Sequence, residues 1–369
     1  MDQELAKRLF ETGAFLVILD APRNLDFGID LDTWEIGPLF KGLKMIPPGI
    51  HYIHYSSVNS DKQVVVRQWC AETEQLYPSD HVSPAQVDRI RQGIRDLDRG
   101  LGAYPLDSPR SSYQRWQRLT SYITPQMVHE LLPPSGEFSS ATGSVYEDEE
   151  LDRAKKKLHQ DAADQPSSTE APTTDSFDRF NFVHSNIKHS FPRDASPEVI
   201  MKYSRDKSWL LKTLLAAQWQ GDPRLLLGEI QLAFVVIFVG QNFSGLEHWK
   251  FLLHLTLYCR EALEDQQLVD CLFSPLLDLI CVQLSECPGE FAASVLEQDN
   301  FIAAVLETLV LNVHECPVAQ VRSRLERQIG FLRSQLRDKF NWSLPLGKQL
   351  QEIEDEEEGE YAPQVVYLD

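Results

Sequence analysis

Hydrophobic and polar positions follow different patterns in the two halves of the chain. In the first half, short apolar runs are separated by Gly and Pro, which is typical of strands and turns. Three runs, Ala14 to Leu19, Ile50 to Tyr55 and Gln63 to Trp69, are predicted to form strands. The first is apolar throughout, which predicts burial on both faces. Only a short polar segment separates the other two, which predicts a hairpin.

The stretch from Phe27 to Ser57, FGIDLDTWEIGPLFKGLKMIPPGIHYIHYSS, contains turns and strands without a helical period. Its prolines exclude a central helix, because Pro fixes φ and lacks an N–H donor. Its glycines predict positive φ angles or a close approach of another segment; they are Gly28, Gly37, Gly42 and Gly49. The stretch is therefore predicted to form a rigid β scaffold.

Helical signals also occur in the first half. Ser83 and Pro84 are typical of an N-cap and first turn, and the apolar stripe after them predicts one helix as far as Leu101. Further short helices are predicted at Leu5 to Phe10, Tyr113 to Tyr122 and Pro125 to Leu132.

The second half is predicted to be almost entirely helical, with short loops that favour antiparallel neighbours. The predicted helices are Glu198 to Trp219, Pro223 to Val239, Gly245 to Arg260, Leu263 to Leu284, Glu290 to Leu311 and Val318 to Phe340.

These patterns predict an α+β protein with a β-rich, sandwich-like or barrel-like N-terminal domain and an all-α helical bundle. The first domain is assigned to residues 1–132, with a return strand near 178–190 that includes Phe180 to Val183. Residues 133–177, rich in Ser, Thr, Pro and acidic residues, are predicted to be a disordered linker. The helical domain takes residues 191–341, and 342–369 form an acidic tail that ends in a β-prone segment.

Charge and composition narrow the function. The chain has 369 residues and a formal net charge of −20, which argues against general nucleic-acid binding and favours a basic protein partner. The N-terminus has no signal-peptide pattern, and the apolar run Leu232 to Val239 is too short to cross a bilayer. We therefore expect no membrane association, and a location in the nucleus and cytoplasm. The six cysteines match no zinc spacing and are predicted to be reduced thiols.

No reactive constellation emerges from the motifs. Gly37 to Lys44 lacks the Gly-Lys-Ser/Thr ending of a phosphate-binding loop. His51 and His54 are three apart on a predicted strand, so they point to opposite faces and form no joint ligand pair. In the segment Glu247 to Lys250, packing by Trp249 with solvated neighbours is the preferred interpretation. We predict no catalytic residue, no metal and no cofactor.

The C-terminal segment offers a binding element. Gln364 precedes four β-prone residues at the end of a flexible acidic stretch; they are Val365, Val366, Tyr367 and Leu368. Such a segment can add a strand to the edge of a partner's sheet. The alternatives are docking onto its own domain and terminal disorder. The arginines of the last helix are available for the acidic Glu354 run, a partner or, as a minority interpretation, RNA.

Four long stretches of the chain point to one family. They are the Phe27 to Ser57 stretch, FPRDASPEVIMKYSRDKSWLL, LGEIQLAFVVIFVGQNFSGLEHWKFLLHLTLYCREA and EQDNFIAAVLETL. Together these stretches resemble the Aar-two splicing-factor family. The family normally has a further strand and turn where this chain has only Val58 to Gln63. The resemblance implies a non-enzymatic assembly factor for the U-five small nuclear ribonucleoprotein. Its implied partner is Prp-eight, the large spliceosomal scaffold protein, through the RNase-H-like and Jab/MPN-like domains. The resemblance also implies that a helicase later replaces the assembly factor on the scaffold.

We therefore expect a protein that acts by covering a surface of the scaffold and blocking premature helicase binding. Phosphorylation in the linker, at Ser139, Ser140, Ser167 or Ser168, is expected to weaken binding by adding charge. Two rival classes remain open. A pocket that groups His51 or His54 with acidic residues would favour an enzyme, and basic surface patches would favour a membrane-trafficking adaptor.

Overall fold

The fold is α+β, as predicted from the sequence, with strands in the N-terminal part and helices after them. We describe it from a computed structural model, which covers residues 3–18, 25–56, 63–69, 83–105, 112–133, 136–140, 180–183, 185–187, 190–289 and 301–350. The chain divides into two compact units. Unit 1 comprises Met1–Phe182 with Leu232–Glu247, and unit 2 comprises Val183–Gln231 with His248–Asp369.

Unit 1 contains two sheets. The strands are β1 (Ala14–Val17), β2 (Asp26–Ile29), β3 (Asp32–Glu35), β4 (Gly42–Ile46), β5 (Gly49–Ser56), β6 (Gln63–Trp69), β7 (Leu101–Ala103) and β8 (Glu137–Ser139). The five-stranded sheet has the order β3-β2-β5-β6-β8, with antiparallel neighbours. The three-stranded sheet has the order β1-β4-β7, in which β4 and β7 run parallel.

The predicted pairing of Ile50 to Tyr55 with Gln63 to Trp69 is confirmed, since Tyr55 lies opposite Gln63 in the β5–β6 ladder. Burial of the first strand on both faces was wrong. After Ala14 the residues of β1 are only half-buried, because β1 is an edge strand of its sheet. The predicted linker also contains a strand. Phe138 is 1% exposed, and its burial holds β8 against β6.

The aromatic pair Phe180 and Phe182 lies in the core of unit 1, but it does not form the predicted return strand. The two rings stack with centroids 4.9 Å apart. The Asn181 N–H donates to the Leu131 carbonyl over 2.9 Å. The alternating pattern therefore results from two aromatic side chains buried on one side of an extended segment, without a strand ladder.

The helices of unit 1 are α1 (Gln3–Thr12), α2 (Pro84–Gln92), α3 (Ile94–Leu97), α4 (Ser112–Leu119) and α5 (Pro125–Leu131). The predicted N-cap is confirmed, because the Ser83 hydroxyl accepts a hydrogen bond from the Gln86 N–H. A single helix as far as Leu101 was wrong. Gly93 ends α2, and Leu101 is buried as the first residue of β7.

The remaining helices are α6 (Pro197–Arg205), α7 (Ser208–Gln218), α8 (Pro223–Phe238), α9 (Phe243–Leu257), α10 (Gln266–Glu286), α11 (Phe301–His314) and α12 (Ala319–Phe340). The predicted helix from Glu198 to Trp219 is in fact two helices. The buried Asp206 carboxylate causes the break, since it accepts hydrogen bonds from the N–H groups of Ser208, Arg260 and Glu261 over 2.8 to 3.1 Å.

Helix α10 is long and apolar enough to cross a membrane by length and composition alone. However, 61% of its apolar window is buried inside the protein. Its buried residues include Leu276, Leu279 and Ile280. That burial is typical of a core helix.

A glycine contact in the β2–β5 ladder gives a first test. A Cβ on Gly28 would lie 2.1 Å from the His54 ring and 2.5 Å from the Asp32 carbonyl oxygen. We expect Gly28→Ala to lower the free energy of unfolding by about 1–3 kcal/mol through overpacking. The measurement is denaturant unfolding of the full chain.

Gly37→Ala is the matched control. The sequence predicted that Gly37 has a positive φ or lies close to another segment. It has neither property, since its φ is not positive and nothing lies within 4 Å of an added Cβ. Its substitution should change stability by less than about 0.5 kcal/mol. Equal effects of the two substitutions would contradict the packing described for Gly28.

Candidate partner-binding site

A buried carboxylate organises the turn between β2 and β3. Asp30 is 1% exposed and has a φ of 56°, which the tight hairpin requires of its first turn residue. One carboxylate oxygen accepts the Tyr52 N–H over 2.9 Å. The other accepts the Tyr104 hydroxyl over 2.6 Å and His51 Nδ1 over 2.7 Å. These bonds tie the turn to β5 and to the segment after β7.

The two hydrogen-bond partners of His51 favour its protonated ring. Nδ1 faces the Asp30 carboxylate and Nε2 faces the Pro47 carbonyl over 2.8 Å, and both partners can only accept. Burial by itself lowers the pKa of His51, but the Asp30 charge and the two hydrogen bonds outweigh it, so the pKa is raised. The result is a buried ion pair at the base of the hairpin.

An open cleft of about 360 Å³ lies beside this pair, between the start of β5 and helix α4. His51, Tyr113 and Trp116 are among the residues that line it. The enzyme alternative called for a pocket that groups His51 with acidic residues, but the described residues that line this cleft include no Asp or Glu. Asp30 contacts His51 from the buried side, and both His51 nitrogens and both Asp30 oxygens are already hydrogen-bonded. The arrangement is that of a structural cluster.

His54 lies apart from that cluster, with its ring over Gly28 in the cross-strand position. The expectation that His51 and His54 form no joint ligand pair is consistent with this placement. Within the described residues, no group of three or more His, Cys, Asp and Glu side chains is placed to hold a metal ion.

A second buried cluster lies in unit 2, around Glu229 of α8. One carboxylate oxygen is 2.6 Å from His248 Nε2, and the other accepts the Trp219 indole N–H over 2.6 Å. Glu229 and His248 are each no more than 2% exposed. The expected solvation of the neighbours of Trp249 was therefore wrong for His248, because the buried Glu229 needs donors.

The arginines of α12 are largely engaged within unit 2. Arg324 pairs with Asp270. The guanidinium of Arg333 donates to the carbonyls of Leu344 and Pro345, over 2.8 Å each. Leu344 is 3% exposed, so the segment after α12 folds back on the helix. The chain around Leu344 is therefore packed on α12, although the sequence assigned it to the tail, while Ser343 and Leu346 are exposed.

The predicted site residues fall partly within the described chain. Ser139 ends β8 opposite Gln63, and its carbonyl accepts a hydrogen bond from the Asn242 side chain over 2.8 Å. Ser140 follows it and is half-buried. Ser167, Ser168 and the segment from Val365 to Leu368 lie outside the described residues.

Sequence reasoning missed the buried carboxylates, among them Asp30 and Glu229. The signal was available, because Asp30 and Glu229 each interrupt an apolar run, in GIDL and LGEIQL. A charged side chain in such a position must find partners inside the protein. Its partners could not be named, since they come from elements far away in the sequence.

Together, the strands, helices and internally paired polar clusters define an α+β protein of two units. A family model described as the AAR2 N-terminal domain matches residues 12–133, and one described as the AAR2 C-terminal repeat region matches residues 182–345.

Curated relatives agree with the family models. Protein AAR2 homolog from mouse is 32% identical over 370 residues, and the human protein of that name is 32% identical over 373. Each match covers 93% of both chains. Protein AAR2 homolog from Caenorhabditis elegans is 28% identical over 360 residues, covering 92% of this chain and 97% of its own. The chain therefore belongs to the AAR2 family, which confirms the resemblance to the Aar-two family.

The imidazolium of His51 predicts a pH dependence of stability. A raised pKa in the folded state stabilises the fold fully below the ordinary value of 6.5, and this stabilisation is lost as pH rises through the folded pKa. We expect the wild-type chain to lose more free energy of unfolding above pH 6.5 than His51→Gln does. Denaturant unfolding across this pH range measures the difference.

His129→Gln, on the exposed side of α5, is the control and should follow the wild type. At pH 6 we expect His51→Gln to cost about 1.5–3 kcal/mol, the typical contribution of a hydrogen bond to a charged group. Parallel pH profiles for the wild type and His51→Gln would contradict the ion pair.

Proposed function

We propose that this protein is a non-enzymatic assembly factor of the splicing machinery. It binds the large central scaffold protein of the spliceosome, Prp-eight, during biogenesis of the U-five small nuclear ribonucleoprotein. While bound, it covers a scaffold surface and prevents premature binding of the helicase. The observation that carries the proposal is membership of the AAR2 family, with matched regions in both units.

The disposition of polar groups supports a role in binding. The buried ionisable side chains of the two clusters face one another and the backbone, as Asp30 and Glu229 do. Such networks fix the shape of a surface without presenting a reactive atom. The RNase-H-like and Jab/MPN-like domains of the scaffold are the proposed partner domains, in both nucleus and cytoplasm.

The end of the chain is the proposed tether. Arg333 holds the carbonyls of Leu344 and Pro345, which fixes the point from which the following segment leaves unit 2. The acidic residues after Leu350 carry the β-prone segment Val365 to Leu368 beyond this point. Paired to an exposed sheet edge of the scaffold, that segment would gain main-chain hydrogen bonds.

Truncation after Leu350 tests the tether and keeps the Arg333 contacts. We expect binding to the RNase-H-like and Jab/MPN-like domains to weaken by at least about tenfold, or about 1.4 kcal/mol. The point variant Val366→Pro should have a similar effect, because proline removes a main-chain donor. Pull-down and titration with purified domains measure both.

Val366→Thr is the matched control, since threonine keeps the strand preference and the donor. It should bind within about threefold of the wild type. Unchanged affinity after truncation would reject the tether. If the full chain failed to bind either scaffold domain, the proposed function itself would be wrong.

Phosphorylation of the linker is the proposed regulation. Ser167 and Ser168 lie in a Ser/Thr/Pro-rich stretch, and each phosphate adds about two negative charges to an acidic chain. Ser139 and Ser140 differ, because β8 pairs with β6 at this point. A phosphate on Ser139 or Ser140 would therefore disturb the pairing of β8 with β6 as well as add negative charge.

The double variant Ser167→Asp with Ser168→Asp should weaken scaffold binding several-fold, more strongly at low salt. Ser167→Asn with Ser168→Asn has a similar shape without charge, and should bind as the wild type does. Titration at two salt concentrations distinguishes them. Equal affinities of the two double variants for the scaffold would contradict the proposal that added negative charge weakens binding.

A further inference from the structure

The outer edge of β3 has no strand beyond it among the described residues, because β3 ends the five-stranded sheet. The Ile36 N–H donates to the Leu25 carbonyl over 3.0 Å, and Trp34 lies opposite Phe27. Hydrogen-bonded pairs alternate with non-bonded pairs along an antiparallel ladder. The N–H and C=O groups of Thr33 and Glu35 therefore point away from β2.

This edge is accompanied by exposed apolar side chains. Trp34 on β3 is 38% exposed, and Leu39, in the following loop, is 81% exposed. Thr33 and Glu35 are exposed as well. An exposed apolar edge invites pairing with another strand, and natural proteins usually protect such edges.

Charge decides which strand can pair here. Asp26 and Glu35 lie directly opposite each other, at a non-hydrogen-bonded position of the β2–β3 ladder. Both side chains are exposed, and like charges directly opposite each other destabilise a sheet. Asp32 adds a carboxylate on the other face of β3, beside Trp34. A second copy of the chain is therefore a poor occupant, because pairing β3 with itself would set two acidic edges side by side.

We propose that the outer edge of β3 binds an extended segment of a partner protein in which basic and apolar residues alternate. The segment pairs through its main chain with Thr33 and Glu35. Successive side chains of a strand point to opposite faces, so its basic residues reach the face of Glu35 and Asp26 while its apolar residues pack on the face of Trp34. This surface is separate from the proposed C-terminal tether and does not depend on it.

A fluorescently labelled peptide of about ten residues, alternating Lys and Val, is the probe. Its binding to the full chain is measured by fluorescence anisotropy. We expect Glu35→Lys to weaken binding about tenfold and Trp34→Ala at least about threefold, as for residues at the centre of a contact. Glu11→Lys makes the same charge change on the exposed end of α1 and should bind within about twofold of the wild type.

A second probe separates strand pairing from general attraction to an acidic chain. A peptide alternating Lys and Pro has the same charge but cannot donate main-chain hydrogen bonds from its prolines, and we expect it to bind at least about tenfold more weakly. In hydrogen exchange, the amides of Thr33 and Glu35 should gain protection when the Lys-Val peptide is added.

Several outcomes would overturn the proposal. Equal affinities of the wild type, Glu35→Lys and Trp34→Ala would place the binding elsewhere. Equal affinities for the Lys-Val and Lys-Pro peptides would show that binding depends on charge alone and not on strand pairing. Protection of Thr33 and Glu35 that rises with protein concentration in the absence of peptide would identify a second copy as the occupant.

The unfolding midpoint of Glu35→Lys is the stability control. Because this substitution removes the repulsion with Asp26, the midpoint should be unchanged or higher. A loss of peptide binding then reflects the lost contact and not a destabilised hairpin.

Discussion

The buried carboxylate of Asp30 is the constraint on which unit 1 depends. Its three donors come from β5 and from Tyr104, more than seventy residues away in the sequence. An uncompensated carboxylate in this position would cost several kcal/mol, so the turn, strand β5 and the segment after β7 must form together. Tertiary contacts therefore hold this turn in addition to the local tolerance of Asp for positive φ.

Unit 2 uses the same principle at Glu229. The carboxylate receives donors from Trp219 at the end of α7 and from His248 on α9, and the backbone N–H of Val183 is 3.3 Å away. Helix packing by apolar side chains tolerates sliding, whereas a buried carboxylate with fixed donors does not. Each unit thus combines an ordinary apolar core with buried, hydrogen-bonded carboxylates that select a single arrangement of its elements.

The sequence predicted elements whose cause is local and missed those whose cause is tertiary. The Ser83 cap, helix α12 and the pairing of β5 with β6 follow from spacing and short-range chemistry, and they are present. The break between α6 and α7 at Asp206 depends on a hydrogen bond from the Glu261 N–H, and strand β8 depends on pairing with β6. Both partners are far away in the sequence. The same limit applies to the sites. Exposure of Trp34 at a sheet edge depends on strand order, which periodicity along one segment cannot give.

The Asp30 cluster also prepares the edge of β3 for binding. A positive φ at a non-glycine residue costs about 1–2 kcal/mol, and the bonds from Tyr52, Tyr104 and His51 offset it. Because Asp30 is the residue before Leu31 in the two-residue turn, its position sets the register in which Trp34 meets Phe27 and Glu35 meets Asp26. A register shift of one residue would turn Trp34 to the opposite face. The edge is therefore ordered before any partner arrives, which lowers the entropy that binding must overcome.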